Sequence, residues 1–281
     1  MGIDYRGEPV ALLTQHGKEQ MLAPLLAAAL GCRVQHVTGF DTDQLGTFSR
    51  EVTRPGSQRD AARQKAGIGM RLAGLSVGLA SEGAFGPDPM SGMFSWNTEM
   101  VIWLDHRHGL EIVGMAQGPA RSAHLQTANW AEVESFANRE DFPRHQLVLR
   151  PGEQHDSRIV KGIADWDTLK TQFQQAQALS ANGWVFIETD LRAHANPTRM
   201  DTIERAALDL VQRLQSACPA CEAPGYAVVE SIGGLTCADC GAPTSVRRGE
   251  IWGCVACEHQ HTVWRTDLME ASPAQCPFCN P

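Results

Sequence analysis

The residues with the clearest chemistry are cysteines near the end of the sequence. Eight of the nine cysteines form four C-x-x-C pairs, namely Cys218/Cys221, Cys237/Cys240, Cys254/Cys257 and Cys276/Cys279. Each pair can place two thiolates on one metal ion, and four thiolates favour tetrahedral Zn2+. We therefore predict two structural Zn2+ ions in this segment. The spacing leaves two pairings open: tandem (first pair with second, third with fourth) or nested (second pair with third).

A second group of polar residues lies at predicted strand ends and helix starts. Thr14, His16 and Lys18 follow an apolar run and open a helical segment, where backbone amides and a lysine suit a phosphate group. Further along the chain, similar positions hold Asp60, Lys65, Glu82, Asn97 and Glu99. The stretch VFIETDLRAHANPTRM, residues 185–200, leaves an apolar strand and then presents Asp190, Arg192, His194 and Arg199.

These polar residues combine carboxylates with cations. Carboxylate oxygens gathered beside lysine and arginine are what a Mg2+-assisted phosphoryl or nucleotidyl hydrolase needs. The metal neutralises phosphate charge, and the lysine or arginine stabilises the charge that develops during transfer. The sequence therefore predicts a phosphate-binding cleft, on condition that the fold brings these residues together.

The elements that must position them follow an α/β pattern. A strand (9–14), a helix ending at Gly31 and a second strand open the chain, and a polar loop covers 41–56. A helix capped by Ser57, a hairpin around DHRHG, helical segments within 124–140 and 165–183, a strand at 184–190 and a last helix from Pro197 complete the pattern. We predict a mixed twisted sheet flanked by helices over 1–215, followed by a small two-zinc ribbon domain over 216–281.

Composition restricts the functional classes. The chain has 281 residues and a formal net charge of −8, which argues against nucleic-acid binding by bulk electrostatics. No apolar run approaches the roughly 20 residues that span a membrane, and no signal peptide is recognisable at the start. We expect a cytoplasmic protein without a membrane partner. A homodimer is compatible with the sequence.

The order of these motifs resembles the inosine/xanthosine triphosphate pyrophosphatase superfamily, which includes the Maf-type pyrophosphatases. The likeness rests on TQHGKEQMLAPLLAAALGCRVQHV, GSQRDAARQKA and GLSVGLASEG, and more loosely on HANPTRMDTIERAA. Thr14 and Lys18 match the phosphate turn of that family, Asp60 and Lys65 match its helix, and Glu82 matches its strand-end acid. His16 stands where the family has Asn, and SEGAFG replaces its Asp-Asp-Ser-Gly motif. With its cysteine segment, the whole chain also resembles an uncharacterised bacterial family of unknown function.

The resemblance implies a Mg2+-dependent nucleoside triphosphate pyrophosphatase or phosphohydrolase. Asp60, Glu82 and Glu99 would then hold the metal or the attacking water. Phosphate or nucleotide contacts would come from Thr14, His16, Lys18, Lys65, Asn97, Asp190, Arg192, His194 and Arg199. The alternative is a non-catalytic protein that binds a nucleotide or nucleic acid. In that case the ribbons would dock a partner through a basic and aromatic surface of Arg247, Arg248, Trp252, His259, His261 and Trp264.

Overall fold

The first part of the chain forms a five-stranded mixed sheet, as the β-α-β pattern predicts. The elements in chain order are β1 (Pro9–Leu13), α1 (Glu19–Leu30), β2 (Arg33–Val37), α2 (Gln58–Ala73), β3 (Val77–Pro87), β4 (Ser95–Asp105) and β5 (Leu110–Pro119). The strand order is β2-β1-β3-β4-β5. β1 pairs in parallel with β2 and with β3, whereas β3 and β4 pair antiparallel. The predicted hairpin around DHRHG corresponds to β4 and β5.

The chain divides into two compact units. The main unit comprises Tyr5–His108 and Val113–Val211, and the cysteine unit comprises Met1–Asp4, Gly109–Ile112 and Gln212–Pro281. The computed structural model describes residues 2–45 and 56–280, so residues 46–55 of the predicted polar loop lie outside the described residues. In the described part of the chain, no helix is both long enough and apolar enough to cross a membrane.

Helix α2 covers one face of this sheet. Its predicted N-cap is confirmed, because the Ser57 hydroxyl accepts a hydrogen bond from the backbone amide of Asp60 at 3.1 Å. Side chains alternate between the two faces of a strand, so Ala80 and Ile102 pack against α2 while residues 79, 81 and 83 point to the opposite face. Gly69 permits close packing, since a Cβ there would meet the Leu13 Cβ at 3.1 Å.

The second part of the main unit forms a separate sheet, where the sequence predicted a single one. Its strands are β6 (His124–Thr127), β7 (Leu147–Pro151), β8 (Val160–Ile163) and β9 (Val185–Thr189), in the antiparallel order β6-β9-β7-β8. Helices α3 (Trp130–Arg139) and α4 (Trp166–Leu179) pack on it around Phe136, Leu149, Phe173 and Ile187. The helix predicted within 124–140 therefore begins only at Trp130, because 124–127 pairs with β9 instead.

The last long helix, α5 (Pro197–Gln215), follows the prediction. It lies against β5 at Gly114, where a Cβ would meet the Leu210 Cα at 2.6 Å. Only a residue without a side chain allows this approach. Arg199 lies in the first turn of this helix.

The cysteine unit contains a three-stranded antiparallel sheet. Its strands are β10 (Ala227–Ile232), β11 (Gly249–Gly253) and β12 (Gln260–Trp264), with β11 in the centre. Gly241 follows the second cysteine pair at φ 69°, a backbone angle that suits glycine and closes the tight turn. The chain is thus a mixed α/β protein with a C-terminal cysteine cluster.

Candidate functional site

The candidate site lies where β1 ends. β1 pairs with β3 in the register Leu12↔Leu79 and stops at Leu13, so residues 81–83 of β3 extend past its end. The chain turns there and begins α1. The carboxyl end of a parallel strand followed by a helix N-terminus is a common place for a ligand in α/β proteins.

Lys18 stands at the centre of this place. Its side chain is buried, and Nζ donates a hydrogen bond to Ser81 Oγ at 2.9 Å. The pKa of Lys18 is lowered to about 7, mainly by burial and also by the neighbouring positive charges of Arg199 and Lys65. Glu99 and Glu82 act in the opposite direction. Because all four groups act on one ammonium group, they lie around it: we call Lys18, Lys65, Glu82, Glu99 and Arg199 the charge cluster.

One ion pair of the charge cluster lies on the face of the sheet that α2 covers. Lys65 Nζ lies 2.6 Å from Glu82 Oε1, and both side chains are almost completely buried. Gln58, at the start of α2, donates to the carbonyl oxygens of Glu82 at 2.7 Å and Thr98 at 3.0 Å. These contacts fix the beginning of α2 against β3 and β4.

The second ion pair lies on the opposite face. Arg199 Nε donates to Glu99 Oε1 at 2.7 Å, and Arg199 Nη1 donates to the carbonyl oxygen of Leu191 at 2.6 Å. Asn97 shares the strand face with Glu99, as the period of two predicts, and its Nδ2 donates to Glu99 Oε1 at 3.0 Å. Gly83 lies opposite Glu99 on β3, where a Cβ would meet Arg199 Nη2 at 2.8 Å. This pair can therefore form only beside a glycine.

The phosphate turn predicted at 14–18 lies beside the 193–195 segment. The rings of His16 and His194 lie 5.4 Å apart, and the backbone carbonyl of buried Thr14 accepts a hydrogen bond from His36 Nε2 at 2.9 Å. Burial lowers the pKa of His194, as does the nearby charge of Arg192. Residues far apart in the sequence thus meet at the end of β1.

Two predicted site residues are neutralised in the second sheet. Asp190 forms an ion pair with Arg192 at 2.6 Å and also accepts a hydrogen bond from the amide of Gly162 at 3.2 Å. Glu188, from the same stretch, pairs with buried Arg150 at 2.6 Å. The charged residues at the end of β9 and just after it are therefore engaged mainly in ion pairs with neighbouring side chains.

Asp60 has a local role. Its carboxylate accepts hydrogen bonds from the Ser57 hydroxyl at 2.6 Å and the Ser57 amide at 3.2 Å, and it pairs with Arg63 on the surface. The hydrogen bonds from Ser57 lower the pKa of Asp60. This is a capping box at the start of α2. In place of the predicted metal-binding role, we assign Asp60 to the cap.

Two residues that hold the charge cluster in place were not recognised in the sequence: Ser81 and Gly83. Ser81 and Gly83 flank Glu82 in SEG, where only Glu82 was assigned a role at the site. Small residues in a strand interior can mark a close approach by other groups, and that signal was available for Gly83. The role of Ser81 depends on the register between β1 and β3, which no local pattern reveals.

The cysteines form two tetrads, and their pairing is interleaved. The first and third pairs give Cys218, Cys221, Cys254 and Cys257, and the second and fourth give Cys237, Cys240, Cys276 and Cys279, with the sulfurs of each tetrad within 4.8 Å of one another. Both the tandem and the nested pairing were therefore wrong. The fold of the cysteine unit determines which knuckles share a tetrad. Proximity in the sequence does not.

The sulfur geometry suits zinc. Cys218 and Cys257 lie 3.8 Å apart and Cys221 and Cys254 3.6 Å apart; the second tetrad shows 3.9 Å and 3.6 Å. Four thiolates with Zn–S bonds of about 2.3 Å have tetrahedral edges of about 3.8 Å. Backbone amides of Ala220, Asp239 and Ala256 point at knuckle sulfurs, which favours the thiolate form. Both tetrads are compatible with structural zinc sites.

Part of the charge on and beside the predicted basic and aromatic surface is neutralised. Arg247 pairs with Glu250, and Arg265 pairs with Asp267 at 2.7 Å. Arg248 stacks over the half-exposed Trp264 ring at 4.6 Å. Elsewhere in the unit, Tyr226 stacks on His261 and lies near His259 and Trp252. This arrangement weakens the electrostatic case for nucleic-acid binding.

Comparison with models of known protein families gives a match. The model of a family described as a domain of unknown function, DUF6671, matches residues 65–281, which is more than half of the chain. A search of curated proteins found no match. Neither comparison supports the resemblance to the pyrophosphatase superfamily. The matched range includes both cysteine tetrads and four of the five members of the charge cluster, and the chain belongs to the DUF6671 family.

Proposed function

We propose that the main unit binds the phosphate groups of a small phosphorylated molecule at the charge cluster. The observation that carries this proposal is the imbalance of charge around Lys18. Lys65 and Arg199 each have a carboxylate partner, whereas the hydrogen bonds of Lys18 go to neutral oxygens of Ser81. Among the residues that the structure describes, three cations thus face two carboxylates in a buried place, and an added anion would balance them.

The lowered pKa of Lys18 supports this view. A buried ammonium group surrounded by other cations loses its proton near neutral pH because its charged form is poorly solvated. A bound phosphate would supply the missing counter-charge and restore the proton. Binding should therefore take up a proton at pH 7 to 8, and it should weaken as the pH rises above that range.

The geometry fits Mg2+ less well. Glu82 lies opposite Met100 and Glu99 lies opposite Gly83, so the two carboxylates point to different faces of the sheet. Each already has a cation within 2.7 Å of one oxygen. Asp60 caps α2 and does not join them. These residues do not form a ready set of oxygen ligands, so we derive no catalytic step through a metal, and nucleotide hydrolysis remains a prediction of the resemblance.

The binding proposal can be tested by thermal unfolding with inorganic tripolyphosphate. Tripolyphosphate should raise the Tm of the wild type and of Lys170→Met, a variant that removes an exposed lysine on α4. It should leave the Tm of Lys18→Met unchanged. An equal shift in all three proteins would place the anion elsewhere and overturn the proposal.

Hydrolysis is tested separately by pyrophosphate release from a panel of nucleoside triphosphates, with and without Mg2+. Glu82→Ala serves as the control, because it removes the carboxylate paired with Lys65. Release that depends on Glu82 would extend the function to catalysis. Binding without release would favour a nucleotide-binding protein.

A further inference from the structure

Two buried acceptor atoms beside Arg199 are without a donor. Glu99 Oε2 and Asn97 Oδ1 make no hydrogen bond within the part of the chain that the structure describes. Glu99 is 0% exposed and Asn97 is 1% exposed, so bulk water does not reach them freely. Leaving a buried acceptor unpaired is costly, and nearly all such atoms in proteins have a partner. These two atoms therefore require a donor from outside the described chain.

The two unpaired oxygens belong to side chains of the same hydrogen-bonded group. Asn97 and Glu99 lie on the same face of β4, and the Asn97 Nδ2 bond to Glu99 Oε1 holds the two side chains together. Arg199 Nε occupies the same Glu99 oxygen, and Arg199 Nη1 is engaged by Leu191. Oε2 of Glu99 and the single side-chain oxygen of Asn97 are what remains for a ligand.

We infer that Glu99 Oε2 and Asn97 Oδ1 accept hydrogen bonds from neutral O–H or N–H groups on the organic part of the phosphorylated ligand. This inference rests on the proposed function, because the phosphate would bind at the adjacent cations. The ligand class is a phosphorylated compound that carries hydroxyl or amino groups near its phosphates. Glu99 would then determine specificity, in contrast to the metal-binding role that the sequence predicted for it.

A neutral donor fits this place better than a divalent cation. Arg199 already lies 2.7 Å from Glu99, and the charges of both residues shift the pKa of Lys18. A second positive centre among them would be repelled, whereas a hydroxyl or amino group satisfies the acceptors without adding charge. A ligand without such a group would leave both acceptors unpaired and should bind at least tenfold more weakly.

The experiment compares two kinds of probe by calorimetry at pH 7. Inorganic tripolyphosphate offers phosphate alone, and a panel of nucleoside triphosphates offers phosphate with hydroxyl and amino donors. The tightest nucleotide should bind the wild type at least about tenfold more tightly than tripolyphosphate. Its 2′,3′-dideoxy counterpart shows the source of the donor: a loss of affinity assigns it to the sugar hydroxyls, and an unchanged affinity assigns it to the base.

The variant Glu99→Gln tests the acceptor directly. Glutamine can keep one oxygen on Arg199 while its amide nitrogen, a donor, replaces Oε2 and faces the donor of the ligand. The preference for the nucleotide should fall by about tenfold to a hundredfold, with tripolyphosphate still bound. Glu188→Gln is the matched control, since it removes the same charge from a buried pair with Arg150 outside the charge cluster and should leave the preference unchanged.

The outcomes separate the inference from the function it rests on. A wild type that binds tripolyphosphate as tightly as every nucleotide would overturn the inference and leave the proposed function standing, and this result needs no variant. A wild type that binds neither probe would overturn both. If Mg2+ alone raises the Tm of the wild type but not of Glu99→Gln, then Glu99 is a metal ligand and the inference is wrong.

Discussion

The cysteine unit and the main unit assemble their candidate sites in opposite ways. In the cysteine unit, each C-x-x-C knuckle supplies half of a tetrad from four consecutive residues. In the main unit, each member of the charge cluster comes from a different element: the turn before α1, α2, β3, β4 and α5. A site built from local turns is visible in residue spacing, whereas a convergent site depends on strand register and helix packing.

The two sites also differ in energetics. Metal binding to preorganised thiolates contributes directly to folding in small zinc domains. The charge cluster buries five ionisable groups, whose desolvation opposes folding and is only partly offset by the two ion pairs. A buried group that opposes folding in this way is more often explained by ligand binding than by stability.

The largest effect is expected for cysteine variants that test the interleaved pairing. The measured quantity is the number of zinc ions per chain that resist a chelator. The variant Cys237→Ser/Cys276→Ser removes two ligands from one tetrad, so one of about two ions should remain resistant. Structural Zn2+ binds with an apparent free energy of about 10–16 kcal/mol, so the affected tetrad should lose its order. Elemental analysis after exposure to a chelator measures the result.

The control for this experiment is Cys218→Ser/Cys237→Ser, which removes one ligand from each tetrad. Both ions should then become accessible to the chelator. Tandem pairing would reverse the two results, and nested pairing would weaken both ions in either variant. One resistant ion in the control would therefore contradict the interleaved arrangement.

The next effect concerns the ion pair of the charge cluster that is best shielded from water. Arg199→Ala leaves Glu99 charged, buried and without its cation, which should lower the free energy of unfolding by about 3–5 kcal/mol. Arg144→Ala removes a pair with Asp141 that is largely exposed, and should cost less than about 1 kcal/mol. Urea unfolding at pH 7 measures both. Equal costs would show that the Arg199 pair is solvated in solution.

Features that depend on adjacent residues could be predicted from the sequence, whereas features that depend on distant contacts could not. The cap at Ser57, the end of α1 at Gly31 and the cysteine knuckles depend on a few adjacent residues, and each was recognised. The second sheet was missed because the short strand β6 pairs with β9, roughly sixty residues further along the chain. Its first residues continue into α3 with a composition that also suits a helix.

The candidate site shows the same limit. The sequence singled out Lys18, Glu82, Glu99 and Arg199 as charged residues at predicted strand ends and helix starts. The structure brings these four residues together. The sequence could not show that the acids point to different faces, since this depends on the pairing of β3 with β4. Nor could it show which knuckles share a tetrad, because the paired cysteines are 33 to 42 residues apart in sequence and are brought together only by the fold.

A smaller effect separates ligand binding from stability at Lys18. Replacement by methionine removes a buried ammonium group and should raise the free energy of unfolding at pH 7 by about 1–4 kcal/mol. The pKa of Lys18 in the folded chain, about 7, lies below its ordinary value of 10.5, so between these limits the unfolded chain holds a proton that the folded chain lacks. The stability contributed by wild-type Lys18 therefore rises with pH over that window.

The advantage of Lys18→Met should accordingly shrink from pH 7 to pH 10. Parallel urea titrations of the two proteins measure this difference, in which all other titrating groups cancel. A constant difference would show that Lys18 keeps an ordinary pKa and is solvated. The charge cluster would then be as solvated as a surface ion pair. Its desolvation would no longer oppose folding, and the two units would not differ in energetics as described above.

The smallest effect concerns the boundary of the charge cluster at the start of α2. Ser57→Ala removes the hydroxyl that accepts from the Asp60 amide, and should lower the free energy of unfolding by about 1 kcal/mol. Tripolyphosphate should still raise its Tm, and that of Asp60→Ala, as in the wild type, because the Asp60 carboxylate serves the cap on the surface. Loss of the shift in Asp60→Ala alone would return Asp60 to the site. The start of α2 would then act both as a local element and as part of the convergent one.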